Sequence, residues 1–103
     1  VGAVMGAAIS TEMTALKAKL SAYPLPRLWL MTDERISTDR LLGSAERLPR
    51  GAGIVFRHYS LPPRKRRALF MRLQERARRR GVMLLLAGPP SLATAWRADG
   101  WHG

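Results

Sequence analysis

The 103-residue chain has no cysteine, which rules out disulfide staples, thiolate metal sites and a cysteine nucleophile together. It has two histidines, and no pair of them at metal-ligand spacing can be read from the sequence. No apolar run approaches the roughly 18 residues of a membrane-crossing helix. The opening VGAVMGAAIS has no basic residue before its apolar stretch and contains two glycines, a poor match to a secretory signal, so the cytoplasm is the default expectation. A glycine-rich phosphate loop is also missing, because the GAG at 51–53 precedes a strand instead of following one. With 47% hydrophobic and 24% charged residues, what remains has the composition of one globular domain, well short of the roughly 250 residues of a closed α/β barrel.

Acidic residues are scarce: seven against eighteen Lys and Arg, a formal net charge of +11. Nine of the eighteen basic residues fall between positions 64 and 80. Pro62 and Pro63 suit a helix entry there, Ser60 is a nearby capping candidate, and Gly81 suits the position after the last turn. Leu69, Phe70, Leu73 and Ala77 fall on one face and leave most of the arginines to water. The segment reads first as a solvated helix face. A non-enzymatic module that binds nucleic acid or an acidic partner is the alternative, without the aromatic interleaving that base stacking needs.

Along the chain, helices and strands alternate. Thr11 to Ala22 predicts a first helix, ended by Pro24 and Pro26, so residues 1–26 form an N-terminal helix and linker ahead of a β/α region at 27–103. RLWLMTD predicts a strand, Thr38 to Leu48 a helix burying Leu41, Leu42, Ala45 and Leu48, GAGIVFRHY a second strand, VMLLLAG a third, Ser91 to Trp96 a short helix and ADGWH a fourth strand. Continuous Val, Ile and Leu runs in such an alternation predict a parallel sheet covered by helices. Ligands bind such sheets at the carboxyl ends of the strands, here Thr32-Asp33, Arg57-His58-Tyr59, Ala87-Gly88-Pro89 and Trp101-His102-Gly103. Period-two alternation places Val55, Arg57 and Tyr59 on one face and Ile54, Phe56 and His58 on the other. Arg57, at a buried strand exit, needs an anionic partner: a phosphate or carboxylate ligand, or a structural pair with Asp33 or Asp99.

Four segments, LWLMTD, GIVFRHY, LLLAG and ADGWHG, resemble in order and spacing the first four strands of the thiamine phosphate synthase and TenI-like family, over about residues 27 to 103. Family strands are of the types L-Y-L-I-T-D, V-Q-L-R-x-K, a third ending in N-D, and A-D-G-V-H-L-G. The resemblance implies a (β/α)8 barrel, of which this chain would form a half barrel, with an open flavodoxin-like α/β sandwich as the alternative fold. For the synthases it implies Mg²⁺-dependent coupling of a hydroxymethylpyrimidine diphosphate to a thiazole phosphate with release of pyrophosphate; the TenI-like members imply a thiazole tautomerase. Arg57 matches the family arginine expected on the diphosphate, and Asp99 and His102 match the acidic residue and histidine of the fourth strand. Val55, Tyr59, Ala87 and Gly88 stand where the family has Gln, Lys, Asn and Asp, so Gly88 removes the carboxylate expected to hold Mg²⁺.

The resulting expectation is a divergent relative, incomplete or weakly active as this chain, that binds a phosphorylated small molecule. Thr32, Arg57 and Tyr59 are its candidate binding residues and His102 its candidate general acid or base. An unclosed half barrel would expose a sheet edge and an apolar inner face, which predicts self-association as a homo-oligomer.

Overall fold

A computed structural model describes residues 25–103; the helix expected over 11–22 lies outside the described residues. Four strands alternate with three helices: β1 (Trp29–Met31), α1 (Thr38–Glu46), β2 (Gly53–Phe56), α2 (Pro63–Arg80), β3 (Met83–Ala87), α3 (Pro90–Ala95) and β4 (Gly100–His102). The strands form one parallel sheet in the order β1-β2-β3-β4, with Trp29 beside Gly53, Val55 beside Leu85 and Ala87 beside His102. The predicted α/β alternation and shared strand direction are therefore present.

Local chemistry explains the boundaries. Ser37 caps α1 by accepting from the Arg40 N–H. The helix ends at Glu46, two residues earlier than the sequence implies, and Leu48 lies partly buried beyond it. Pro62 precedes α2, with no side-chain cap; Ser60 bonds Glu34 instead. Gly81 closes α2 with φ 69°, the left-handed turn that glycine adopts without a Cβ penalty. The fourth strand is shorter than ADGWH, because Asp99 is spent on holding β3: its carboxylate accepts from the Leu84 N–H at 2.7 Å.

The three helices all pack on one face of the sheet. Their cluster joins Leu41, Leu42, Ala45, Leu69, Phe70, Leu73, Ala77 and Ala93 to Ile54, Phe56, Leu84 and Leu86 of β2 and β3. Burying these side chains supplies the main stabilisation, at roughly 1.5–3 kcal/mol for each large one. The other face carries Trp29, Val55, Leu85 and Ala87, with Met31 and Met83 packed against them. An exposed apolar face was the sequence-based expectation, yet these four side chains are at most 4% exposed within the single chain. Gly53 is required on this face, since a Cβ there would fall 2.5 Å from the Trp29 ring.

Candidate functional site

The carboxyl ends of β1 and β2 enclose a cleft of about 270 Å³ lined by Thr32, Asp33, Glu34, Arg35, Arg57, His58 and Tyr59. Thr32 is its organising residue. It is 1% exposed, one step beyond the end of β1, and its N–H donates to the Val55 carbonyl at 3.0 Å. Its hydroxyl oxygen accepts from the Arg57 N–H at 2.8 Å and lies 3.0 Å from His58 Nδ1, while its carbonyl accepts from Arg57 Nε at 3.0 Å. One threonine thus fixes both the backbone and the side chain of Arg57.

Among the described residues Arg57 has no carboxylate partner. Asp33 is held by Arg35, through Nη2 at 2.8 Å and Nε at 3.1 Å, and this guanidinium lowers the Asp33 pKa to about 2. Asp99 sits at the opposite, amino-terminal end of β4, on Leu84. Neither structural pair considered for Arg57 forms. Among the described residues its Nε is engaged by a carbonyl and its two terminal nitrogens carry no hydrogen bond, which leaves a two-pronged donor at the cleft.

His58 was not singled out from sequence as a site residue. The strand stops at Phe56, and His58 takes φ 34°, a left-handed conformation uncommon for a side chain of this size. The turn lays its ring flat on Phe56, with centroids 5.0 Å apart and planes within 1°. Burial, above all, pushes the imidazole pKa down, opposed by the Glu34 carboxylate and aided by the Arg66 charge. A buried neutral imidazole results, fixed by Thr32 on one side. The readable signal was a histidine directly after a strand-exit arginine.

Arg66 is the second residue that sequence reasoning missed. It lies on the buried stripe of α2, three and four residues ahead of Leu69 and Phe70, where a charged residue is out of pattern. Its guanidinium donates to the carbonyls of Arg57, His58 and Ala87 at 2.7–3.2 Å and lies 5.5–5.7 Å from the ring centres of Phe56, Tyr59 and Trp96. It ties the end of β2 to the end of β3.

Thr32, Arg57 and Tyr59 are therefore brought together, although Tyr59 is 64% exposed and turned over Arg66. His102 sits on the same sheet edge, in register with Ala87 of β3, but does not line the cleft. Magnesium fits poorly: Gly88 and Ala87 offer no side-chain oxygen, and the Asp33 carboxylate is occupied by Arg35. Among the described residues no cluster of three His, Cys, Asp or Glu side chains is placed to hold a metal, and no helix is long and apolar enough to cross a membrane.

No family model matches the chain, and no solved structure matches it. Over 82 residues it is 37% identical to the thiamine-phosphate synthase of Methylococcus capsulatus (strain Bath). The match takes in 78% of this chain and 37% of that protein, so the chain spans little more than a third of the length of the curated relative it matches.

Proposed function

We propose that the chain is a divergent member of the thiamine-phosphate synthase family that binds a phosphorylated small molecule at the carboxyl ends of β1 and β2. The identity to the Methylococcus synthase supports a link to thiamine biosynthesis and, at family level, to a transferase. The observation that carries the ligand reading is Arg57: a guanidinium aimed by Thr32, facing a cleft and unpaired with any acid. Its free prongs match two phosphate oxygens, and its fixed Nε limits the entropy lost on binding. Tyr59 borders the same opening, and the neutral His58 holds the turn that carries it.

The half-barrel reading draws support from the strand order. In a flavodoxin-like sheet the second strand lies outside the first and helices cover both faces. Here the order is sequential and every described helix lies on one side, the arrangement produced when each right-handed crossover steps the same way. His102, on the shared edge two strands from Arg57, is retained as the proton-handling candidate. These residues offer too few oxygen ligands for magnesium.

Calorimetric titration of the chain with pyrophosphate and with a hydroxymethylpyrimidine diphosphate tests the reading. Saturable binding is expected, weakened at least tenfold by Arg57→Lys, which keeps the charge but loses the fork. Equal affinity of that variant and the parent would remove Arg57 from the site, and absence of binding to either ligand would remove the site itself.

A further inference from the structure

On the outside of the molecule, α2 presents a surface that the cleft chemistry does not use. Its solvent side carries Arg64, Lys65, Arg67, Arg72, Arg79 and Arg80, all exposed, against a single acidic residue, Glu75. Two ion pairs offset part of this charge, Arg76 with Glu46 at 3.1 Å and Arg79 with Glu75 at 3.7 Å. The rest is self-repulsive. Arg64 and Arg67, exposed and outside both ion pairs, are like charges one helical turn apart, which destabilises a helix. The first turn holds Arg64 and Lys65 and no acid, against the helix dipole. An ordinary solvated face interleaves the two signs and avoids both penalties.

The same helix excludes one class of anionic partner. Membrane-surface helices combine a basic face with an apolar face that enters the lipid. In α2 the apolar stripe of Leu69, Phe70, Leu73 and Ala77 is already buried against the sheet. The exposed large apolar side chains among the described residues, Ile36 and Tyr59, belong to loops. Absence of exposed aromatics on α2 also removes the stacking platform that single strands use. What is left is a rod of guanidinium groups about 24 Å long from Arg64 to Arg80, at 1.5 Å per residue, with seven arginines to one lysine once the buried Arg66 is set aside. Arginine pairs with phosphate in a bidentate manner. Near its end, a notch of about 260 Å³ lined by Glu46, Arg76, Arg79 and Arg80 adds a concave basic element.

We propose that the outer face of α2 is a docking surface for a nucleic-acid duplex, held through its phosphates and indifferent to base sequence. The surface lies on the helical side of the sheet, and its binding is independent of an anion at Arg57.

Fluorescence anisotropy of the whole chain with a 20-base-pair DNA duplex, over a series of salt concentrations, tests this. Four or five phosphate contacts predict a slope of roughly −4 in log affinity against log salt, or a loss of roughly 250-fold between 50 and 200 mM. Arg72→Gln with Arg79→Gln should weaken binding about tenfold and flatten the slope by roughly 2. Glutamine keeps the helix, and circular dichroism checks that it does. Arg27→Gln with Arg97→Gln removes the same charge outside α2 and should leave the slope unchanged. A parent slope shallower than −1 overturns the proposal. So does an equal loss in both double variants, which would make net charge the cause. Binding to phosphatidylserine vesicles or to polyglutamate as tight as to the duplex would overturn it as well.

Discussion

The carboxyl rim of the sheet has two unlike halves. At β1 and β2 it is polar and charged, with Thr32, Asp33, Arg57 and His58 wrapped around a cleft. At β3 and β4 it is closed by backbone, the Gly88 N–H donating to the His102 carbonyl at 3.1 Å, and β3 ends in alanine and glycine, which bring no side-chain chemistry. Arg66 joins them, and its comparison with Arg57 is instructive. Both are arginines at the same edge without a carboxylate partner, yet Arg66 spends its donors on three carbonyls and packs against aromatic rings, whereas Arg57 spends only Nε. What separates the two guanidinium groups is how many of their donors the fold has consumed.

The strongest way to break that distinction is Arg66→Met, which keeps much of the length and removes every donor. The carbonyls of Arg57 and Ala87 would lose the guanidinium together, while that of His58 would keep the Leu61 N–H at 3.4 Å, and leaving buried acceptors unsatisfied should cost about 3 kcal/mol. Urea unfolding followed by circular dichroism reads this directly. A loss below about 1 kcal/mol would mean that water replaces the guanidinium, and the two arginines would then differ less than their contacts imply.

Thr32→Val is a smaller and more selective change, nearly isosteric, deleting one hydroxyl. The Arg57 N–H and His58 Nδ1 both lose their partner, so a destabilisation of about 1–2 kcal/mol is expected. Because the hydroxyl also positions Arg57, pyrophosphate affinity should fall several-fold in the same variant, measured by calorimetry at a temperature where it is fully folded. Lost stability with unchanged affinity would show that the carbonyl bond to Nε alone aims Arg57.

Much of the scaffold was legible in the sequence, because buried parallel strands and amphipathic helices write their burial into residue spacing. The Ile54–Phe56 and Leu84–Leu86 faces, the Ser37 cap and the Gly81 stop all follow from local rules. The site was legible only in outline. Alternation placed Arg57 at the strand exit, but not its bond to the Thr32 carbonyl 25 positions earlier. The left-handed turn at His58 and the reach of Arg66 to Ala87 depend on where α2 lands on the sheet, which is tertiary information. Asp99 shows the converse, since it was a candidate partner for Arg57 and the register put it at the other end of the sheet, serving the Leu84 backbone.

The subtlest difference between the two halves should appear with pH. The His58 imidazole is disfavoured as a cation chiefly by burial, with Arg66 and Arg57 adding repulsion and Glu34 and Asp33 opposing it. A histidine whose pKa is lower folded than unfolded contributes stability that is full above the ordinary value near 6.5 and declines as pH falls through the folded value, because the unfolded chain takes up its proton first. Asp33, with its pKa lowered to about 2 from 3.8, loses its contribution only in more acidic solution. Between about pH 6.5 and 4.5 the decline is therefore expected to come from His58. Melting temperatures of the parent and of His58→Gln across that interval should converge as pH falls, the variant staying flatter. Parallel curves would show that His58 gains its proton in the folded protein as readily as in the unfolded chain, and that the polar half of the rim is open enough to solvate a second cation beside Arg57.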